Sequence, residues 1–395
     1  MEEKLKQHLW VAIIAGGMGT RLFPISHADR PKQFCRMNDK NTFIQATIGN
    51  FVSLGIGPNR IVIVTHGDDQ LRLAREQAVP RGVLSQNIIS QEQAYGYVGA
   101  MVAVADFIRE KDPQAVIINT PSDHYLDADG NFHSAISAAI KEARKGFPVA
   151  VTTKIGNIDV AVNCGHAIYD ETADESGCFT MSGFVEKPSH ERADELMRLD
   201  NSACSTGILV WNAIMPREIV PDGYDLCNLT TESFMERMKP KIAVSQFDWR
   251  DCGTFRAYYD LAQKTPNHKN ASLGGGTIER VGCRRSLFYA SSGINLCANG
   301  VKDAAVVATI IGERLVVFVI GLDETESITE AANNFASFEG KILSRQFLPG
   351  SNGNILMYSN TSDVSTVGFI GVKNYIVYSH YRPDGTIDTV VSKQA

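Results

Sequence analysis

The sequence lacks several features that would assign it to a class of protein at once. Within its 395 residues no apolar run reaches the length of a membrane-spanning helix, so no membrane partner is expected. The stretch before Leu9 lacks the apolar core of a signal peptide, which predicts a cytoplasmic protein. Positive charge is not in excess, because the formal net charge is −6, and this argues against a nucleic acid as a partner.

The cysteines lack the spacing of a metal site or of a disulfide framework. No two of them are arranged as Cys-x-x-Cys; they are Cys35, Cys164, Cys178, Cys204, Cys227, Cys252, Cys283 and Cys297. The pattern therefore predicts neither a zinc site nor disulfides, and the thiols are expected to be reduced. The chain is long enough for two or three domains, and its apolar fraction of 44% is ordinary for a globular protein.

The most informative stretch is a glycine loop that follows the first apolar segment. Residues 9–15 predict a strand buried on both faces, and Gly16, Gly17 and Gly19 come directly after it. Glycines let backbone N–H groups approach phosphate oxygens closely, because no Cβ intervenes. Arg21 adds a fork of donors that suits a phosphate. The stretch predicts a phosphate cradle, and the alternative is a plain glycine turn between a strand and a helix.

Two familiar phosphate-binding motifs do not fit this loop. A P-loop would continue with Gly-Lys-Ser or Gly-Lys-Thr, whereas Thr20 and Arg21 follow the last glycine. The dinucleotide fingerprint of dehydrogenases would need a third glycine near Leu22 and a helix where Pro24 stands. Lys32, further downstream, supplies a second cation instead, as the binding of a nucleoside triphosphate requires.

Strands and helical segments alternate over the first 155 residues. Strands are predicted over residues 9–15, 60–65, 87–90, 115–120 and 148–153, and helical faces over residues 43–51 and 98–108. This alternation predicts an α/β fold with a Rossmann-like, mixed but mostly parallel sheet flanked by helices. Ligands of such sheets bind at the carboxyl ends of the strands, where the glycine loop lies.

Charged side chains also follow other predicted strands. Asp123 and Asp251 each end an apolar strand, and Mg²⁺ is commonly held by one or two carboxylates together with substrate phosphates. The alternative for each aspartate is a helix N-cap or a turn. Glu186 and Lys187 end another strand and suit the hydroxyls and the phosphate of a sugar phosphate; an exposed charge pair is the alternative.

Five motifs occur in an order that is typical of one enzyme family. They are GGMGTRLFP, PKQF, PSDH, FVEKP and WRDCG. Over about residues 9–320 the sequence resembles the sugar-1-phosphate nucleotidylyltransferases, in particular the mannose-1-phosphate guanylyltransferase branch. The resemblance implies a fold of the nucleotide-diphospho-sugar transferase type. It also implies transfer of GMP from GTP to a sugar-1-phosphate, first of all mannose-1-phosphate, with Mg²⁺ as cofactor and pyrophosphate as the second product.

The resemblance further implies a role for each motif. Arg21 would bind the leaving pyrophosphate and Lys32 would lie near the α-phosphate, which makes these two the catalytic candidates. The nucleotide would be bound by Ala15, Gly16, Gly17, Met18, Gly19, Thr20, Arg21, Glu92 and Ser122. The sugar phosphate would be bound by Gly165, Glu186, Lys187, Ser205 and Thr206, and Mg²⁺ by Asp123 and Asp251.

The chain departs from the family pattern at two points that bear on specificity. The Asn-Thr pair of the family is absent after Glu92, where Tyr95 and Tyr97 either stack on a base or pack in the core. Ser205 stands where the family has an asparagine on a sugar hydroxyl. The alternatives are therefore a nucleotidylyltransferase for a different hexose- or heptose-1-phosphate, or a non-catalytic nucleotide-sugar-binding regulatory homologue.

The last third of the chain predicts a second domain. A catalytic domain is expected over residues 1–269, followed by a glycine-rich linker over residues 273–276. Residues 270–395 are expected to form a β-rich, β-coil-like domain with two similar segments, 287–309 and 356–380. The resemblance implies that this domain packs subunits together, so that a homodimer is expected.

Overall fold

The computed structural model of the chain contains two compact units. It describes residues 6–17, 22–38, 40–93, 95–220, 225–226, 229–263, 274–311, 314–322, 346–347, 355–360, 365–370, 372 and 375–393. The first unit comprises the described parts of residues 1–17 and 44–251, and the second those of residues 18–43 and 252–395. No helix among the described residues is long and apolar enough to cross a lipid bilayer.

The first unit combines a large sheet with helices. Its strands are β1 Leu9–Ile14, β2 Ile61–His66, β3 Ile88–Gln91, β4 Val116–Pro121, β5 His124–Leu126, β6 Val149–Thr153, β7 His166–Tyr169, β8 Phe179–Val185, β9 Ser202–Asn212, β10 Lys241–Ser245 and β11 Trp249–Asp251. Its helices are α1 Phe43–Ser53, α2 Gly67–Ala78, α3 Gly96–Lys111, α4 Gly130–Arg144, α5 Ile158–Ala161, α6 His190–Arg198, α7 Met215–Ile219 and α8 Thr231–Met238. The five predicted strands correspond to β1, β2, β3, β4 and β6, and the two predicted helical faces to α1 and α3. The mixed α/β class is therefore confirmed.

Strands β1 and β4 lie at the switch point of the nine-stranded sheet, whose order is β3-β2-β1-β4-β9-β6-β10-β8-β7. The chain runs outward from β1 to β2 and β3 and then places β4 on the other side of β1. Both neighbours are parallel to β1, which aligns Ala12 with Val62 and with Asn119. All residues of β1 are buried, as expected of an inner strand covered on both faces. The carboxyl ends of β1 and β4 thus meet where open α/β sheets bind ligands.

The sheet is less parallel than predicted. Strands β1 to β4 pair in parallel, and so do β6 and β10. Strand β9, however, is antiparallel to β4, β6 and β7, and β8 is antiparallel to β7 and β10. The prediction of a mostly parallel sheet therefore holds for strands β1 to β4 but not for the sheet as a whole. Strands β7 and β8 follow each other without a crossover helix, and such a connection produces an antiparallel pair.

A partly buried carboxylate ties the start of β1 to the end of α3. Trp10 Nε1 donates to Asp112 Oδ2 at 2.9 Å, and His8 Nδ1 lies 2.8 Å from Asp112 Oδ1. Burial alone would raise the pKa of the Asp112 carboxyl, but these hydrogen bonds outweigh it and hold the pKa below its ordinary value. The ionised form of Asp112 therefore stabilises the edge of the unit that lies opposite the glycine loop.

The second unit is built from two sheets and one described α-helix, α9 Phe255–Gln263. Its strands are β12 Thr277–Val281, β13 Leu287–Ala290, β14 Ile294–Asn299, β15 Ala304–Ile311, β16 Arg314–Gly321, β17 Gln346–Phe347, β18 Ile355–Asn360, β19 Ser365–Ile370, β20 Tyr375–Tyr381 and β21 Ile387–Lys393. One sheet has the order β12-β14-β21-β20 and the other β13-β15-β16-β19-β18-β17.

The chain alternates between these two sheets with a regular spacing. Strand β12 pairs in parallel with β14, and β13 pairs in parallel with β15. Thr277 lies opposite Asn295, 18 residues further along the chain, and Leu287 lies opposite Ala305 with the same separation. The two similar segments predicted from the sequence do consist of strands, but they pair differently. Strand β14 pairs with β12 and β21, whereas β19 pairs with β16 and β18.

The division into units does not follow the predicted boundary at residue 269. Residues 22–43 belong to the second unit, although they precede the boundary by a long stretch of chain. The reason is packing: the Phe23 ring meets the Phe318 ring edge-on at 5.3 Å, and Arg30 Nη2 donates to Thr309 Oγ1 at 3.1 Å.

The glycines of the predicted linker are closely packed. A Cβ built on Gly274 would lie 2.2 Å from Ala290 O, and one built on Gly276 would lie 2.4 Å from Ile294 O. The backbone at these positions approaches other backbone too closely for any side chain. These glycines thus serve close packing within the second unit, which corrects their interpretation as a linker.

Candidate functional site

The described part of the glycine loop lies at the switch point of the first unit. Ala15 donates its N–H to Val64 O at 2.7 Å, which holds the end of β1 to β2. Ser122 donates its N–H to Ile14 O at 3.2 Å, so that the residue after β4 contacts the end of β1. The predicted nucleotide-binding residues Ala15 and Ser122 are therefore brought together at the carboxyl ends of the strands.

The fold itself does not require glycine at the start of the loop. The φ angles of Gly16 and Gly17 lie outside the left-handed region, and a Cβ on Gly16 would make ordinary contacts, the nearest at 3.5 Å from His66. A Cβ on Gly17 would have no atom of the described residues within 4 Å. Because neither packing nor backbone conformation demands these glycines, the open space beside them favours the approach of a ligand.

Five further residues were predicted to bind the nucleotide. Met18, Gly19, Thr20 and Arg21 lie outside the described residues. Glu92 is exposed directly after β3, at the same end of the sheet as the glycine loop.

Lys32, the other catalytic candidate, is placed in the second unit. Its side chain is buried, with 2% of its surface exposed, and its Nζ lies 5.5 Å from the centroid of the Phe43 ring. It begins a single turn of 3₁₀-helix, Lys32–Phe34.

The two predicted metal ligands converge on one histidine. In the ribbon of β5 and β11, Asp251 lies directly opposite His124. His124 Nε2 is 3.9 Å from Asp123 Oδ1 and 4.0 Å from Asp251 Oδ1. The rings of Trp249 and His124 make a T-shaped contact, with their centroids 5.2 Å apart. Two carboxylates more than a hundred residues apart in the chain therefore face the same small volume.

This arrangement suits a hard divalent cation. Each aspartate is partly exposed, with 32% of the Asp123 side chain and 17% of the Asp251 side chain accessible to solvent. Magnesium is typically bound by one or two carboxylates and completes its shell with water and substrate phosphates, which requires such access. The donor set and its exposure thus fit Mg²⁺.

Four of the predicted sugar-phosphate residues also come together. Ser205 donates its N–H to Gly165 O at 2.7 Å, across the pair of β7 and β9. A Cβ on Gly165 would lie 2.8 Å from Glu186 Oε2 and 2.3 Å from Phe184 Cζ, so the carboxylate lies directly over the glycine. Lys187 follows at the end of β8 and is exposed.

The electrostatics of this group centre on Glu186. Burial, the largest effect, raises the pKa of its carboxyl; the charge of Lys187 opposes that rise, and Glu232 adds to it. Lys187 adopts a left-handed backbone conformation with φ of 42°, which is uncommon for a residue with a side chain. Thr206 differs from the others, because it is fully buried and its hydroxyl donates to Val151 O at 2.8 Å within the sheet.

Gly207 connects the sugar-phosphate residues to the end of β4. A Cβ at this glycine, whose φ is 75°, would lie 2.8 Å from Pro121 Cγ. The Tyr97 hydroxyl donates to Gly207 O at 2.6 Å. Burial raises the pKa of Tyr97, and the nearby charge of Asp123 raises it further. Of the two roles open for Tyr97, packing beneath the site is therefore the observed one.

The sequence reasoning missed one cluster of chemically active side chains. Cys164, His166 and Cys204 lie together, and all three are buried. A search for Cys-x-x-Cys spacing cannot detect them, because the second cysteine comes from a distant strand. The available signal is the Cys-x-His pattern before and within β7, combined with a cysteine in a strand that pairs with it.

Comparison with known proteins finds a matching family and several relatives. The profile of the nucleotidyl transferase family matches residues 11–268. The alginate biosynthesis protein AlgA of Pseudomonas fluorescens is 26% identical over 323 residues, which cover 79% of this chain and 65% of that protein. Mannose-1-phosphate guanylyltransferase 2 of Escherichia coli O157:H7 is 23% identical over 338 residues, which cover 75% of this chain and 68% of that protein. The chain thus spans about two thirds of the length of these relatives.

A solved structure described as mannose-1-phosphate geranyltransferase from Thermus thermophilus is similar in fold. It has a TM-score of 0.67 at 22% identity, and the similarity covers 83% of this chain and 99% of that one. The family profile spans the switch point, the facing carboxylates and the Gly165–Glu186 group alike, and it extends over more than half of the chain. The chain therefore belongs to the nucleotidyl transferase family.

Proposed function

We propose that the protein transfers GMP from GTP to a sugar-1-phosphate, with mannose-1-phosphate as the preferred acceptor. The observation that carries this proposal is the convergence of three predicted groups at one end of the sheet in the first unit. These are the glycine loop, the pair Asp123 and Asp251, and the group of Gly165, Glu186 and Ser205. The name of one relative, mannose-1-phosphate guanylyltransferase 2 of Escherichia coli O157:H7, supports the choice of acceptor and nucleotide.

The reaction is an in-line displacement at phosphorus. An oxygen of the sugar phosphate forms a bond to the α-phosphorus of GTP while the bond from that phosphorus to the bridging oxygen of pyrophosphate breaks. No covalent intermediate with the enzyme is needed, so catalysis consists of positioning and of neutralising charge. Arg21 and the loop amides hold the leaving pyrophosphate.

The sugar phosphate is bound at its two polar ends. The Glu186 carboxylate accepts hydrogen bonds from sugar hydroxyls, and the close approach of Gly165 leaves room for a ring against the backbone. Lys187, exposed at the end of β8, pairs with the phosphate. The Ser205 hydroxyl is shorter than an asparagine side chain, and it also accepts the N–H of Gly207 at 3.3 Å.

Asp123 and Asp251 would hold Mg²⁺ in this site. When bound, the ion neutralises negative charge on the phosphates and lowers the barrier for the approach of one anion to another. The carboxylate oxygens of both side chains would have to reach the position of the ion. Both lie close to their shared neighbour His124.

The test is pyrophosphate release with each of four nucleoside triphosphates against a panel of sugar-1-phosphates. The proposal predicts the highest kcat/KM for GTP with mannose-1-phosphate, and no release without a divalent cation. Turnover with a different nucleotide and sugar-1-phosphate would support the proposed reaction but contradict the proposed substrates. Tight binding of GDP-mannose without release from any pair would favour a regulatory homologue and refute the catalytic role.

The second unit is proposed to mediate association of two copies of the chain. Sedimentation of the full-length protein tests this, since a concentration-independent monomer would contradict it.

A further inference from the structure

Cys164, His166 and Cys204 form a compact cluster that the proposed reaction does not use. One possible ligand atom from each side chain lies within 4.8 Å of the other two. The residues are 7%, 1% and 2% exposed, in that order, so bulk water barely reaches them. Cysteines and a histidine that converge in this way can either form a hydrogen-bonded core cluster or ligate a metal ion.

The pairing of β7 with β9 creates the cluster. His166 lies directly opposite Cys204, and such residues of an antiparallel pair point to the same face. Cys164 lies just before β7, and its sulfur comes within 4.8 Å of the ligand atoms of the other two residues. Gly165 and Ser205 alternate with them and point to the other face, where Glu186 lies. The cluster is thus directly behind the residues proposed to bind the sugar phosphate.

The separations match those around a tetrahedral zinc ion. Zinc–sulfur bonds of about 2.3 Å and zinc–nitrogen bonds of about 2.0–2.1 Å place the sulfur and nitrogen ligands roughly 3.6 Å apart at the tetrahedral angle. Cys204 Sγ lies 3.4 Å from His166 Nε2 and 3.9 Å from His166 Nδ1. The distance to Nδ1 is thus close to the ideal one, and the ligand atom of Cys164 lies within 4.8 Å of its partners in the cluster.

A second contact has the form that metal-bound histidines show. His166 Nε2 lies 3.0 Å from Ala161 O, at the end of the short helix α5. When Nε2 donates to that carbonyl, Nδ1 is left as the unprotonated nitrogen that can ligate. Histidine ligands usually donate their other ring N–H to a carbonyl or carboxylate, which fixes the tautomer and the ring orientation.

We propose that Cys164, His166 and Cys204 bind a soft or borderline divalent cation, with zinc as the best match. Thiolate and imidazole ligands select zinc over magnesium, so this site and the carboxylate pair differ in chemistry. Three protein ligands leave a fourth position for a water molecule. A bound ion clamps β7 to β9 and so holds Gly165 and Ser205 in place. The metal site itself does not depend on the proposed catalytic function.

The test measures metal bound to the full-length protein. Reduced protein is loaded with zinc, passed through a desalting column, and analysed by mass spectrometry for metal content per chain. The expected result is about one zinc per chain for the parent, and zinc affinity lowered by at least roughly 100-fold in Cys204→Ser, because loss of an outer contact alone costs about 10- to 100-fold. The matched control is Cys178→Ser, a buried cysteine outside the cluster that should retain the zinc.

A second measurement needs no variant and distinguishes the two metal sites. Cobalt bound by thiolates gives a sulfur-to-cobalt charge-transfer absorption band, which cobalt on Asp123 and Asp251 cannot give. The proposal expects the band in the parent protein. A parent that takes up no zinc, a cobalt complex without the band, or a disulfide between Cys164 and Cys204 in freshly purified protein would each overturn it.

Discussion

Substitution of Gly165 by alanine should selectively damage binding of the sugar phosphate. The added Cβ would lie 2.3 Å from Phe184 Cζ and 2.8 Å from Glu186 Oε2, whereas ordinary contacts begin at 3.4 Å. The φ angle of Gly165 is outside the left-handed region, so the cost comes from space alone. Both groups must therefore shift: Phe184, which packs against the hydrophobic core, meets the tighter overlap, and the Glu186 carboxylate is the flexible end of its side chain.

The size of the effect follows from the overlap. Overpacking of this kind costs about 1–3 kcal/mol. If the displacement of Glu186 accounts for most of that cost, the KM for mannose-1-phosphate rises roughly 5- to 150-fold. The KM for GTP should change by less than about twofold, because the glycine loop follows a different strand.

The assay is pyrophosphate release with one substrate varied and the other saturating, together with a thermal melt of each variant. Gly183→Ala is the matched control, because Gly183 is a glycine of strand β8, which pairs with the strand that follows Gly165. A Cβ there would make ordinary contacts, at 3.6 and 3.7 Å from Ile168. The control should leave both KM values unchanged.

A specific result would refute the reasoning. If Gly165→Ala lowers the melting temperature but leaves the KM for every sugar-1-phosphate unchanged, the contact between Gly165 and Glu186 is structural. The assignment of Glu186 to the sugar would then have to be withdrawn.

Three further predictions follow from the contacts described above. Asp123→Asn and Asp251→Asn should each abolish metal-dependent pyrophosphate release in steady-state kinetics. The double variant should be hardly less active than either single variant, since ligands of one ion act as a unit. If the two losses of rate multiplied instead, the aspartates would have separate roles. Gly17→Ala should keep the melting temperature but weaken GTP binding in calorimetry, because a Cβ there meets no atom of the described part of the chain within 4 Å; unchanged binding would exclude close approach of a ligand. Asp112→Asn should lower the melting temperature at pH 7, and the difference from the parent should shrink below about pH 4. A carboxylate whose pKa is lowered on folding stabilises the protein at pH values above its pKa in the unfolded chain, about 3.9. This stabilisation is lost as the pH falls through the pKa of the folded state. A difference in melting temperature that did not change with pH would contradict this.

The parts of the site that depend on local chain order were predictable from the sequence. The strand before Gly16 and the position of Asp123 after another strand follow from apolar runs and the rule that ligands bind at carboxyl ends. Parallel pairing of β1 and β4 then places the two segments side by side. No knowledge of distant contacts is needed for this step.

The parts that depend on distant pairing were not predictable. Asp251 reaches Asp123 because β11 pairs with β5, and nothing in either short segment specifies that partner. The cluster of Cys164, His166 and Cys204 likewise depends on the register of β7 against β9. The domain boundary failed for the same reason: residues 22–43 carry no local sign that their packing partners lie hundreds of residues away.

The second unit combines a segment near the start of the chain with its last third, and this affects folding during synthesis on the ribosome. Arg30 and its hydrogen-bond partner Thr309 are 279 residues apart. At about 5–20 residues per second, roughly 14–56 seconds separate the appearance of one from that of the other. During that time the Phe23 side chain, which ends up buried, lacks its later partner Phe318. The nascent chain therefore presents a hydrophobic segment that a chaperone can bind, and the second unit can only fold late.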